Sequence, residues 1–127
     1  MAYTVMVVDD SEIVRSVLER ALTLTKLPID SFIQAENGKD ALEKLSGNWV
    51  DIVFSDLHMP EIDGMGLITA MSQNAELREI PVFIISTEGS KSCIDALMEK
   101  GVKGFLRKPF TPEKLRNLMI ETLGDWE

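Results

Sequence analysis

The chain has 127 residues, of which 45% are hydrophobic and 27% charged, a length and composition typical of one soluble globular domain. It carries 13 Lys and Arg residues against 21 Asp and Glu residues, and the resulting net charge of −8 argues against direct binding to a nucleic acid backbone. The apolar run near the N-terminus is too short for a membrane span or a signal peptide, so a cytoplasmic location is expected.

The first predicted unit is a strand followed by a helix. Residues 4–8 form an apolar, β-branched run, typical of a strand buried on both faces, which stops at Asp9 and Asp10. Ser11 is expected to cap a helix from Glu12 to about Thr25. Its inward stripe is predicted to be Ile13, Val14, Val17, Leu18, Ala21 and Leu22, with Glu12, Arg15, Glu19 and Arg20 on the other side.

Four further strand and helix units follow with short connections. The strands are predicted over 31–35, 52–56, 82–85 and 105–106, and the helices around 41–45, over 65–71, over 90–100 and after Thr111-Pro112. In the fourth helix, Ile94, Leu97 and Met98 are expected to point inward. Five alternations of strand and helix predict an α/β, doubly wound, five-stranded parallel sheet with helices on both faces. With no linker or internal repeat, residues 1–127 are expected to form a single domain.

Polar residues that directly follow four of the strands should meet at the carboxyl edge of the sheet. They are Asp9 and Asp10, Asp56, Ser86 and Thr87, and Lys108. Clustered carboxylates repel one another unless a cation holds them, and oxygen ligands favour a hard divalent cation such as Mg²⁺. A lysine and a hydroxyl beside them suit the oxygens of a phosphoryl group. The central carboxylate, Asp56, is therefore the candidate nucleophile for an aspartyl-phosphate.

Each of these features alone is also typical of a helix cap or a loop. Their occurrence at four strand ends on one edge favours a functional site over four unrelated structural features.

Residues 4 to 123 resemble the receiver domain of two-component response regulators, most closely the small single-domain CheY-like proteins. The segments that carry the resemblance are VMVVDDS, SDLHMPEIDG, PVFIIST and GFLRKPF, in the order and spacing of the family. The resemblance implies a flavodoxin-like fold with strand order 2-1-3-4-5. It also implies a protein that promotes its own phosphorylation and dephosphorylation without turning over a separate substrate.

The resemblance assigns roles to the residues at the carboxyl edge. Asp56 would accept a phosphoryl group from a phosphohistidine on a sensor histidine kinase or phosphotransfer protein. Asp10, Asp56 and the main-chain carbonyl of His58 would ligate Mg²⁺, and Asp9 would hold the metal through water. His58 and Glu88 occupy positions that influence the access of hydrolytic water.

The family also implies a switch. The hydroxyl of Ser86, next to Thr87, would move toward the phosphoryl group, and Phe105 would turn inward. CheY has tyrosine where this chain has Phe105, so the switch here would depend on packing alone. Lys108 would bind a phosphoryl oxygen, and the Lys108-Pro109 bond is expected to be cis. The partner surface is expected to include Lys91, Ile94, Met98, Phe105 and Lys114.

With no output domain expected after residue 123, the output is expected to come from association with an effector, a flagellar motor switch protein or another, in chemotaxis or similar signalling. If the chain is instead a piece of a longer regulator, the missing domain would be the effector. A monomer or a weak phosphorylation-dependent dimer is expected, with no nucleic acid or membrane partner. Two alternatives stay open: a phosphorylation-independent interaction module and a small metal-dependent phosphohydrolase. The hydrolase usually needs a second acid/base carboxylate two residues after the nucleophile, where this chain has His58.

Overall fold

The computed structural model describes residues 3–87 and 90–123, in which five strands alternate with five helices. The strands are β1 (Tyr3–Val8), β2 (Ile29–Ala35), β3 (Ile52–Asp56), β4 (Val82–Ser86) and β5 (Gly104–Arg107), and the helices are α1 (Glu12–Leu24), α2 (Gly38–Leu45), α3 (Gly64–Ser72), α4 (Lys91–Glu99) and α5 (Pro112–Leu123). All strand pairs are parallel, in the order β2-β1-β3-β4-β5. The doubly wound α/β fold and its strand order are therefore confirmed. Among the described residues, no helix combines the length and apolar character that a bilayer crossing requires.

The two faces of the sheet carry separate hydrophobic cores, because successive side chains of a strand point in opposite directions. On one face, Met6, Val53 and Ile84 pack with residues of α2, α3 and α4. On the other face, Phe54 and Phe83 pack with residues of α1 and α5, and their stacked rings lie 5.7 Å apart between centroids. A sheet covered on both sides explains why its central strands are continuous apolar runs.

Polar side chains begin the helices at the carboxyl edge of the sheet. Ser11, Asn37, Asp63 and Ser90 each accept a hydrogen bond from the backbone N–H three residues later, and Thr111 does the same for Lys114. These caps satisfy backbone donors that have no partner within the helix. They fix where each helix starts relative to the strand end before it, and so they fix the loops that carry the site.

Helix α1 departs from the predicted apolar stripe. The C-terminal half of the stripe is as expected, with Leu18, Ala21 and Leu22 buried. However, Ile13 is 76% exposed and Val17 is 54% exposed, so their predicted burial is wrong. Arg15, predicted to face solvent, is half-buried and donates to the side chain of Gln34 on β2. Helix α1 contacts α5, β1 and the edge strand β2, and the face that carries Arg15 lies toward β2.

Smaller differences concern α4 and β2. The inward prediction for Met98 is wrong, since its side chain is 47% exposed, while Leu97 fills the core position and Ile94 is half-buried. Adjacent residues of a helix are about 100° apart around its axis, and here the packed face of α4 is centred on Leu97, which leaves Met98 at the solvent side. Strand β2 begins at Ile29, two residues before its predicted start.

Gly64 allows α3 to start against the end of β3. Its N–H donates to the carbonyl of Leu57 at 2.9 Å, and a Cβ on Gly64 would lie 2.6 Å from the carbonyl oxygen of Asp56. We expect Gly64→Ala to lower the free energy of unfolding by about 1–3 kcal/mol, because the backbone must shift to relieve this overlap. Urea denaturation monitored by circular dichroism measures the change.

The matched control is Gly47→Ala, where a Cβ would meet nothing within 4 Å. This variant should be as stable as the wild type or slightly more stable, since alanine restricts the unfolded chain. Equal effects of the two substitutions would contradict the close approach at Gly64.

Candidate functional site

Three carboxylates meet at the carboxyl edge of the sheet. Asp9 and Asp10 follow β1, Asp56 ends the adjacent β3, and each offers an oxygen that lies within 4.8 Å of those of the other two. Asp9 is buried, Asp56 is half-buried and Asp10 is exposed. The structure therefore brings together the three acidic residues that the sequence predicts to meet.

Asp9 is held by three hydrogen bonds. Its N–H donates to the carbonyl of Ala35 on β2 at 3.1 Å, and its Oδ1 accepts from the N–H of Ser11 at 2.9 Å. Its own carbonyl accepts a hydrogen bond from Nη1 of Arg15 at 2.6 Å. The backbone and the carboxylate of this residue are thus both fixed, and Arg15 is a contributor that the sequence did not reveal.

Lys108 supplies a positive charge to the cluster. Its Nζ lies 3.5 Å from Oδ2 of Asp9 and 3.6 Å from Oδ1 of Asp56, and its side chain is only 23% exposed. The N–H of Lys108 donates to the carbonyl of Ser86 at 3.0 Å, which ties the ends of β4 and β5 together. The peptide bond between Lys108 and Pro109 is cis. The lysine predicted beside Asp56 is therefore in contact with it.

The electrostatics of the site suit a divalent cation. Burial raises the pKa of Asp9, and the negative charge of Asp56 raises that pKa further, while the Ser11 N–H and the Lys108 ammonium act in the opposite direction. One ammonium cannot balance three carboxylates, so the site keeps a net negative charge. Because all three acidic side chains offer only oxygen, the donor set fits a hard cation such as Mg²⁺.

The predicted hydroxyl residues lie at the end of β4. Ser86 is buried as the last residue of that strand, and Thr87 is exposed just beyond it. Asp56 pairs with Ile85 in the sheet, so Ser86 sits one residue beyond the neighbour of Asp56 along β4. This places the Ser86 backbone at the same edge as the carboxylates.

Phe105 and the other residues of the predicted partner surface lie on β5, α4 and α5. Phe105 is half-buried on β5, pairs with Ile84 and packs on the core cluster that includes residues of α4. The remaining predicted residues lie on the adjacent helices: Lys91, Ile94 and Met98 on α4, and Lys114 on α5. Lys91, Met98 and Lys114 are exposed, so they are available to a partner.

Of the two residues predicted to influence dephosphorylation, the structure describes only His58. His58 is exposed in the connection between β3 and α3, two residues after Asp56. Glu88 lies outside the described residues.

An apolar groove beside the site was not predicted. It has a volume of about 260 Å³ and shares Lys108 with the acidic cluster. It is lined by Ile13, Val14, Val17, Lys108, Pro109 and Phe110. The sequence does contain one signal for this groove. The apolar stripe of α1 is wider than a helix with one buried face needs. Its exposed members, Ile13 and Val17, lie in the N-terminal half of the helix, nearest the site.

Comparison with known proteins identifies the family. Residues 5–120 match the response regulator receiver domain, so the chain belongs to that family. It is 34% identical over 120 residues to the chemotaxis protein CheY1 of Helicobacter pylori, covering 94% of this chain and 95% of that protein. It is 37% identical over 115 residues to the two-component response regulator ORR3 of Oryza sativa, covering 90% of this chain and 86% of that protein.

The fold of this chain also matches that of a solved chemotaxis protein. The crystal structure of the chemotaxis protein CheY4 of Vibrio cholerae superimposes with a TM-score of 0.86 and 26% sequence identity, covering 96% of this chain and 99% of that chain. The chain is therefore a receiver domain of the CheY-like type, a class of signalling protein.

The raised pKa of Asp9 has a consequence for stability. The folded state binds a proton at Asp9 more tightly than the unfolded state does, so the free energy of unfolding falls as the pH rises through that raised pKa. At neutral pH the ionised carboxylate destabilises the fold. Asp9→Asn keeps the Oδ1 acceptor for Ser11 and removes this charge. We expect it to melt higher than the wild type in EDTA at pH 7, by about 4 °C for each kcal/mol gained.

Differential scanning calorimetry tests this expectation, with Asp30→Asn, an exposed carboxylate on β2, as the control that should not change. A lower melting temperature for Asp9→Asn would show that the ion pair of Asp9 with Lys108 outweighs the effect of burial.

Proposed function

We propose that this protein is a cytoplasmic phosphorylation switch of a two-component pathway, with Asp56 as the phosphoacceptor and a phosphohistidine on a sensor kinase or phosphotransfer protein as the donor. The observation that carries the proposal is the contact of the Lys108 ammonium with Asp56 inside a cluster of three carboxylates. An isolated metal site would not need the lysine, which repels a cation. A site that receives phosphoryl oxygens needs both charges.

The proposed reaction makes one bond and breaks one. A carboxylate oxygen of Asp56 attacks the phosphorus, the bond between phosphorus and the histidine nitrogen breaks, and its electron pair stays on that nitrogen. The product is a mixed anhydride of the Asp56 carboxylate and phosphate. Lys108 exchanges its contact with the carboxylate for one with a phosphoryl oxygen. Dephosphorylation is the attack of water on the same phosphorus, at a rate that His58 and Glu88 would influence.

Mg²⁺ fits this site. The residues proposed to hold it are Asp10, Asp56 and the main-chain carbonyl of His58, with Asp9 acting through water. When bound, the ion would neutralise the charge that builds on the phosphoryl oxygens. The net negative charge of the carboxylate cluster supports this assignment.

The proposed output is a change at the surface of α4, β5 and α5. Phosphorylation adds about −1.5 to −2 charges. The Ser86 hydroxyl, with Thr87 next to it, would turn to the new oxygens, and Phe105 would move into the space that Ser86 leaves. A local change of this kind can shift the balance of two conformations that differ by a few kcal/mol. The partner surface would then consist of Lys91, Ile94, Met98, Phe105 and Lys114.

The downstream partner is proposed to be an effector protein, with a flagellar motor switch protein as one candidate. The Helicobacter pylori and Vibrio cholerae proteins to which the chain is similar are chemotaxis proteins, whereas the rice protein is a two-component response regulator. Chemotaxis or a similar signalling pathway is therefore the proposed setting. As a single receiver domain, residues 1–127 would act as a monomer or as a weak phosphorylation-dependent dimer.

The apolar groove supports the proposal that the phosphoryl donor is a protein and not a small phosphate compound. Exposed aliphatic side chains beside a charged site bind a protein surface better than they bind a small phosphate compound. Because Lys108 belongs both to the groove and to the acidic cluster, a protein that covers Ile13 and Phe110 would reach the entrance of the site. We propose that the phosphohistidine protein docks there.

Intact mass after incubation with acetyl phosphate tests the chemistry. The wild type should gain one phosphoryl group with Mg²⁺ and none with EDTA. Asp56→Asn should gain none, and the control Asp30→Asn should behave as the wild type. Modification of Asp56→Asn would overturn the assignment of the phosphoacceptor.

Two other outcomes would favour the alternatives. Failure of the wild type to react with acetyl phosphate and with a phosphorylated kinase would favour the interaction module. Multiple turnover of free phosphoesters would favour the phosphohydrolase.

The docking proposal predicts a difference between donors. Ile13→Ser should slow phosphoryl transfer from a phosphorylated kinase by about 5-fold or more, as for the loss of an apolar interface contact. Transfer from acetyl phosphate should stay within about 2-fold of the wild type, because this small donor needs no protein contact. Leu24→Ser, at the other end of α1 with 55% exposure, is the matched control. Equal slowing with both donors would contradict docking at the groove.

A further inference from the structure

Arg15 has no role in the proposed reaction, although its guanidinium binds two acceptors at once. Its Nη1 donates to the main-chain carbonyl of Asp9 at 2.6 Å, and its Nε donates to Oε1 of Gln34 at 2.9 Å. A planar guanidinium can make both bonds in a fixed geometry, which a lysine ammonium cannot reproduce.

The second acceptor is itself fixed. The side-chain amide of Gln34 donates to the carboxylate of Glu19, one turn after Arg15 on α1. The main-chain carbonyl of Gln34 accepts from the ammonium of Lys44 on α2. Gln34 also pairs with Val7 in the sheet, so α1, α2 and β2 together fix the place at which Arg15 is held.

We propose that Arg15 is a positioning residue for the acidic cluster, and this inference rests on the proposed Mg²⁺-dependent function. The carbonyl of Asp9 lies in the same rigid plane as the N–H of Asp10. By holding that carbonyl, Arg15 fixes the rotation of the peptide between the two acids. Asp10 is exposed and follows this peptide directly, so the orientation of the peptide sets where the Asp10 side chain leaves the backbone.

Charge and geometry predict opposite effects when Arg15 is replaced. Removal of a positive charge near an acidic site should strengthen the binding of a cation. Loss of the correct ligand geometry should weaken it, and removal of a residue that orients metal ligands typically lowers metal affinity by about 10-fold or more. Weaker Mg²⁺ binding by Arg15→Met would therefore identify a positioning effect rather than an electrostatic one.

The chain contains a matched control. Arg116 on α5 donates from Nη1 to the main-chain carbonyl of Thr25 at 2.6 Å, at the opposite end of α1. Arg116→Met removes the same kind of bond, from an arginine to a main-chain carbonyl, but at the end of α1 that lies far from the carboxylates. A general loss of stability would be common to both variants, whereas an effect on Mg²⁺ affinity should be specific to Arg15→Met.

The experiment is isothermal titration calorimetry of the unphosphorylated protein with MgCl₂. We expect Arg15→Met to raise the Mg²⁺ dissociation constant by about 10-fold, Arg15→Lys to raise it as well, and Arg116→Met to leave it unchanged. Phosphorylation of Arg15→Met by acetyl phosphate should be slower than that of the wild type at low Mg²⁺ and should reach the wild-type rate at saturating Mg²⁺. Gln34→Met, which keeps Arg15 but removes its support, should give an intermediate dissociation constant and serves if Arg15→Met does not fold.

An unchanged or lower dissociation constant in Arg15→Met, or in Gln34→Met if that variant stands in for it, would overturn the positioning role and leave the proposed function intact. Absence of Mg²⁺ binding in the wild type would instead overturn the proposed function, and the role of Arg15 with it.

Discussion

The pairing of β1 with β3 is the constraint on which the site depends. Val8 pairs with Ser55, so the residue after each of them, Asp9 and Asp56, extends from the sheet at the same level and on the same side. A slip of one residue would turn one of the two carboxylates to the opposite face. The apolar residues that fix this register are fully buried on both faces of the sheet, so the hydrophobic core determines the distance between the two charges.

Closely packed like charges oppose the stability of the fold that holds them. Burial and the neighbouring Asp56 raise the pKa of Asp9, and one ammonium from Lys108 offsets only part of the repulsion. The hydrogen bonds from Ser11 and Arg15 keep Asp9 in place despite this repulsion. A site of this kind is less stable than a neutral one would be, a common property of functional sites. The same repulsion is what makes the site suitable for a cation.

The alternation of strands and helices and the acidic cluster could be predicted from the sequence because both depend on local patterns, whereas the strand order came from the resemblance to receiver domains. Apolar runs that end in Asp9, Asp56 and Ser86 mark the strand ends, and parallel strands bring those ends to one edge. The contact of Arg15 with Gln34 could not be predicted, because it depends on the rotation of α1 about its own axis relative to β2. For the same reason, the periodicity of α1 predicted that Ile13 is buried, whereas the structure leaves its side chain exposed.

Strand β5 connects the proposed phosphorylation site with the proposed partner surface. Lys108 follows β5 directly, and its N–H donates to the carbonyl of Ser86, so the ends of β4 and β5 are held together. Within the strand, Phe105 packs on the core beneath α4, and Leu106 packs on the core beneath α5. A displacement of Lys108 or Ser86 therefore acts on a strand that contacts both cores. Since packed cores change between discrete arrangements more readily than they deform, a small movement at this edge can alter how α4 and α5 are presented.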